Sequence, residues 1–116
     1  MELDCSTYPD LVVVHVREAR IDAAGAIDFK ERMRDFTQDP TQRVMLDLSK
    51  VGFIDSSGLG AVVAVRKSLG PDRQLELAGL TPTVEKVFRL TRMDSVFPIH
   101  AAVPSGATAP GLRDAV

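Results

Sequence analysis

The chain has a single cysteine, Cys5, and only two histidines, His15 and His100. One cysteine cannot close an internal disulfide or build a cysteine-based zinc cluster, and it fits a reducing compartment. Neither sign of charge dominates: 14 basic residues stand against 16 acidic ones, a formal net charge of -2. That balance leaves no electrostatic footprint for nucleic acid or for an anionic membrane. The N-terminus, Met1-Glu2-Leu3-Asp4, lacks the basic-then-apolar order of a signal peptide. No apolar run approaches the roughly 20 residues that span a bilayer. A soluble, cytoplasmic domain with neither metal nor cofactor is expected.

What is present is ordinary globular material. At 116 residues, 45% hydrophobic and 26% charged, the chain suits one domain with a core of its own. Residues 11–16, Leu-Val-Val-Val-His-Val, read as a strand buried on both faces. His15 inside it reads as a packing or rim residue. Asp22 is placed as the N-cap of a helix running to Phe36, with Ala26, Phe29, Met33 and Phe36 on one face. Residues 43–48 form a second strand. Residues 74–78, Gln-Leu-Glu-Leu-Ala, alternate as a strand with one wet face. Thr81-Pro82 opens a third helix over 81–91, and Val96-Phe97-Pro98-Ile99-His100 is an edge strand at best.

Strands alternating with helices predict an α/β fold with a small mixed or parallel sheet. The domain is expected over residues 1–100. Residues 101–116, rich in proline, glycine and alanine, are expected to form a loosely packed tail with a helical turn near Leu112.

The most informative stretch lies between residues 44 and 67. Val44-Met45-Leu46-Asp47-Leu48 is a strand, and Phe53-Ile54-Asp55-Ser56-Ser57-Gly58-Leu59-Gly60 opens the second helix. Aspartate and serine before an apolar helical run also satisfy a plain N-cap. A hydrolase serine would need a base and the glycine two residues before it that a nucleophile elbow uses, and that glycine is missing. A phosphate cradle of the P-loop kind would need a lysine that the loop lacks. A serine that is itself phosphorylated is compatible with a helix N-terminus, whose dipole and free amides favour an anion. The helix is apolar nearly all round through Val65. It is therefore either buried or partly covered by a partner, with Leu59-Gly60 the candidate docking patch.

At these residues the chain resembles the STAS domain (sulfate transporter and anti-sigma factor antagonist). It is most similar to the small free-standing bacterial anti-sigma factor antagonists, over about residues 11–99. The resemblance implies a four- or five-stranded mixed sheet covered mainly on one side by helices. It implies a non-enzymatic partner switch. The unmodified form binds a serine kinase that is also an anti-sigma factor, phosphorylation releases it, and a PP2C-type phosphatase restores it. It assigns the accepting hydroxyl to Ser56, with Asp22, Asp55, Ser57, Gly58 and Leu59 as partner-binding neighbours and Ser57 as a capping hydroxyl. A phospho-independent scaffold or ligand-sensing STAS module is the alternative. The chain departs from the family where Ala19-Arg20-Ile21 replaces a glycine-containing approach to Asp22, which sets the Arg20 cation near the switch surface.

Overall fold

Pro9-Asp10 joins two antiparallel strands, β1 (Leu3–Tyr8) and β2 (Leu11–Val16), through a two-residue turn in a computed structural model that describes residues 1–104. Beside β2 lie β4 (Arg43–Asp47), β6 (Leu75–Ala78) and β7 (Ile99–His100), all parallel, giving the order β1-β2-β4-β6-β7. This is the mixed five-stranded sheet expected. Two short strands, β3 (Arg20–Ile21) and β5 (Phe53–Ile54), pair parallel to each other in a separate ribbon.

Strand β1 has no counterpart in the sequence reading. It is an edge strand, and of its six residues only Leu3 is buried, so no apolar alternation marks it. The apolar run of β2 is buried on both faces, as its composition predicts. Strand β6 departs from expectation, because all four of its residues are buried, Glu76 included. Arg43 donates to both Glu76 oxygens at 3.0 and 2.8 Å, and His100 Nε2 lies 2.8 Å from Oε1. A carboxylate so paired can leave water, which the alternating pattern alone does not reveal.

Helices α1 (Ala26–Phe36), α2 (Ser56–Leu69) and α3 (Pro82–Leu90) share one hydrophobic cluster with one face of the sheet. Phe29 and Met33 from α1, Val62 and Val65 from α2, and Val84 and Phe88 from α3 meet Val12, Val14, Val44, Leu46 and Leu77 there. Phe97, in the last apolar run, is buried with its ring edge-on to Phe88 at 5.8 Å. On the opposite face Leu11, Val13, Met45 and Ala78 form a cluster without helical residues, and Tyr8 and Val103 pack on it. The helices therefore cover one side. Val103, from the start of the expected tail, is half-buried on the helix-free face; residues 105–116, with the expected turn at Leu112, lie outside the described residues.

Among the described residues, no helix is long and apolar enough to cross a membrane. Helix α2 stops at Gly70, whose φ of 89° lies in the left-handed region that glycine occupies without strain. Helix α3 starts with Thr81 and Pro82 as read from the sequence. The Thr81 hydroxyl, however, donates to the Val51 carbonyl at 2.7 Å rather than capping the helix, and so ties α3 to the loop leading to β5.

Candidate functional site

The β3–β5 ribbon delivers the chain to the start of α2. The Ala19 carbonyl accepts from the Gly52 and Phe53 amides, and the Ile21 carbonyl accepts from the Asp55 amide at 3.3 Å. Ile21 and Ile54 point into the core, so their ribbon neighbours Arg20 and Phe53 are left outside. The Arg20 guanidinium carbon sits 4.3 Å from the centroid of the Phe53 ring, a stacked cation–π contact on a ring that is 38% exposed.

Asp55 is the N-cap of α2. Its backbone is extended, and its Oδ1 accepts the Gly58 amide at 2.8 Å. The other oxygen, Oδ2, accepts the Ala23 amide at 3.3 Å. Asp55 thus fixes both the helix start and the neighbouring loop. Ser56 is the first residue of the helix, and Ser56 and Ser57 are both exposed. The capping role expected of Ser57 belongs to Asp55, because Asp55 holds the N-cap position, from which its carboxylate reaches the third amide of the helix, while Ser57 is already the second helical residue.

Gly58, expected to touch a partner, is buried instead. A Cβ at this position would stand 2.0 Å from the Ile21 carbonyl oxygen, so glycine is what lets α2 approach β3. Leu59 is half-buried against the helix-side cluster, and Gly60 is exposed, with nothing within 4 Å of where a Cβ would stand. Val62 and Val65 face the core while Leu59, Val63 and Ala64 are half-buried, so burial accounts for most of the apolar helix and a narrow strip remains accessible.

Asp22 is not the N-cap of α1. The helix begins at Ala26 with Gly25 at the cap position and no side-chain capping bond. The Asp22 carbonyl accepts the Gly25 amide at 3.1 Å in the turn before the helix. Its carboxylate accepts from Arg20 Nε at 3.0 Å, and this bond, helped by the Ala24 and Gly25 amides, holds the carboxyl below its ordinary value. Asp22 and Asp55 are therefore brought together through Arg20, Ala23 and the ribbon. The exposed Phe53 platform under Arg20 escaped the sequence reading; its signal was a bulky aromatic next to a core isoleucine in a two-residue strand.

Both histidines are committed away from Ser56. His15 Nδ1 lies 2.7 Å from Asp47 Oδ2, and its Nε2 lies 3.0 Å from Ser6 Oγ. Burial pushes the Asp47 carboxyl up, but bonds from His15 and Ser49 outweigh it and hold the group below its ordinary value. His100 pairs with Glu76. Neither imidazole is in a bond that could take a proton from Ser56. The Ser6–His15–Asp47 chain places its serine within a paired strand, not at the strand-to-helix turn that frees amides for an oxyanion. Among the described residues no group of three or more His, Cys, Asp or Glu side chains is arranged to hold a metal ion. What the α2 start offers chemically is an exposed hydroxyl in the first turn of a helix capped by Asp55, a carboxylate that also ties in the loop carrying the Arg20–Asp22 pair.

Comparison with known proteins agrees with this fold. A family model described as the STAS domain matches residues 2–106. The candidate anti-sigma factor antagonist BtrV of Bordetella bronchiseptica is 28% identical over 101 residues, covering 86% of this chain and 87% of that protein. The crystal structure of an anti-sigma factor antagonist from Mycobacterium paratuberculosis superposes with a TM-score of 0.80 at 24% identity, covering 93% of this chain and 92% of the other. The structure of the Bacillus cell fate determinant SpoIIAA in its phosphorylated form has the same fold, with a TM-score of 0.65 at 17% identity over 91% of this chain and 96% of that one. With a family model spanning nearly its whole length and this fold behind it, the chain belongs to the STAS domain family.

Proposed function

We propose that the chain is an anti-sigma factor antagonist that works by partner switching. In its unmodified form it docks, through the start of α2 and the Asp22 loop, on a serine kinase that doubles as an anti-sigma factor. The kinase transfers the γ-phosphoryl group of ATP to Ser56 Oγ, ADP leaves, and the hydroxyl proton passes to the kinase's own base. The phosphorylated form lets go, and a PP2C-type phosphatase hydrolyses the phosphoserine back to serine and inorganic phosphate. The chain itself performs no catalysis.

The observation that carries this reading is the exposed Ser56 hydroxyl at the first position of a helix whose cap is supplied by a different residue, Asp55. A modification there leaves the cap intact. It adds about 1.5 to 2 negative charges beside Asp55 and Asp22, on a surface that must meet a partner. Repulsion and desolvation of that charge weaken docking without unfolding the domain. The names of the relatives support the antagonist assignment, and the existence of a phosphorylated SpoIIAA supports the covalent switch.

The test is a titration of the anti-sigma serine kinase from the same genome with unmodified protein and with protein carrying phosphoserine at position 56. At least tenfold weaker binding of the phosphorylated form is expected. Equal affinities would favour the phospho-independent scaffold.

A further inference from the structure

Arg20 stands where the family's usual approach to the first helix is different, and its contacts suggest a use. Its guanidinium is shared between the Asp22 carboxylate, at 3.0 Å, and the face of Phe53, at 4.3 Å from the centroid. The side chain is still 60% exposed. The ribbon sets Arg20 opposite Phe53, and Ser56 follows Phe53 by three residues, within about 10 Å of chain. Asp22, which Arg20 already reaches, is next to Ala23, whose amide bonds Asp55, the residue before Ser56. Arg20 is thus the cation bonded to the carboxylate of the loop that Asp55, the residue before Ser56, holds. Arg66 and Lys67, the basic residues of α2 itself, lie ten and eleven residues along the helix, about 15 Å away.

We infer that Arg20 is the phosphate-receiving residue of this chain: a phosphoryl group on Ser56 takes the guanidinium from Asp22 and draws it off the Phe53 ring. This inference rests on the reading of Ser56 as the modified residue and adds what the modification does. The exchange is chemically directed. A phosphomonoester near neutral pH carries up to two charges and three acceptor oxygens, against one charge on Asp22, and it matches the guanidinium fork in a bidentate pair. No covalent bond changes in the exchange. One Arg–carboxylate pair is traded for one Arg–phosphate pair, leaving Asp22 without its cation and Phe53 without its cover. The docking surface therefore changes in both charge and apolar exposure, not only at the serine.

The experiment needs no kinase. Protein with phosphoserine encoded at position 56 is titrated by ³¹P NMR, alone and with Arg20→Ala or Asp22→Asn. The second ionisation of the phosphate, ordinarily about 6, reports a nearby cation by moving down. We expect Arg20→Ala to raise it by about half a pH unit or more, and Asp22→Asn, which releases Arg20 from its competitor, to lower it. The Phe53 ring resonances should shift through the same titration in the parent phosphoprotein and stay still in Arg20→Ala. An ionisation unchanged by both substitutions, with each variant giving a dispersed folded spectrum, overturns the inference. Such a result leaves the function of Ser56 standing, because kinase binding by the phosphorylated and unmodified forms is a separate measurement.

Discussion

The Ala23 amide donates to Asp55 Oδ2 at 3.3 Å, across 32 residues of sequence. The same carboxylate caps α2 through its other oxygen. The loop carrying Asp22 and the helix carrying Ser56 are therefore held by one side chain, and together they make a single surface. Asp55 is the structural centre of that surface even though it is not the residue proposed to change.

Removing that side chain should loosen both parts. Asp55→Ala is expected to destabilise the fold by about 1 to 2 kcal/mol, the upper part of the range for a lost N-cap, because a second amide also loses its acceptor. Urea denaturation would show it. Asp55→Asn keeps an acceptor and should lose less. A midpoint unchanged in Asp55→Ala would mean that the capping bond contributes nothing.

The two glycines of the first two turns of α2 should respond oppositely to alanine. Gly58→Ala drives a Cβ to 2.0 Å from the Ile21 carbonyl oxygen, so α2 must shift away from β3. A loss of about 1 to 3 kcal/mol is expected despite the better helix propensity of alanine. Gly60→Ala meets nothing within 4 Å and should gain up to about 1 kcal/mol. Thermal midpoints of the two variants test the close approach directly.

Acid should destabilise the sheet through Glu76 and Asp47. Burial raises both carboxyls, but Arg43 and His100 at Glu76, and His15 and Ser49 at Asp47, hold both below their ordinary values. A carboxyl with a lowered folded value binds fewer protons folded than unfolded. Its stabilisation is complete above the ordinary carboxylate range and is lost as pH falls through the lowered value. Midpoints measured from pH 6 downward should fall, and Glu76→Gln should fall less steeply across the same range. Parallel curves for the two proteins would remove Glu76 from the explanation.

Charge at position 56 should act on binding and spare the fold. Ser56→Asp is expected to weaken kinase binding while its unfolding free energy stays within about 0.5 kcal/mol of the parent, as for an exposed surface change. A large loss of stability would instead make Ser56 part of the helix cap.

Much of this architecture was legible in the sequence, for physical reasons. The β-branched run at 11–16, the apolar run at 44–48 and the spacing of Phe29 and Met33 state their burial directly. Asp55 before an apolar helix states a cap. What was hidden depended on which partner a polar side chain finds once the chain is folded. Glu76 looks like a wet-face residue until Arg43 and His100 meet it from β4 and β7. Asp22 looks like a cap until Arg20 claims its carboxylate and the helix begins at Ala26 instead. Strand β1 carries almost no apolar pattern because it is an edge, and the β3–β5 ribbon is too short to show any period at all. At the site, Ser56 and Asp55 were visible as a motif, whereas the burial of Gly58 and the exposed Phe53 platform appear only once β3 is laid against α2.

The central claim is that one hydroxyl, Ser56, is the switch. Incubation with the anti-sigma serine kinase and ATP, followed by fragment mass spectrometry, tests it most directly. The account predicts a single phosphate on Ser56 and none on the Ser56→Ala protein. A phosphate found only on Ser57, or persisting in Ser56→Ala, would contradict it.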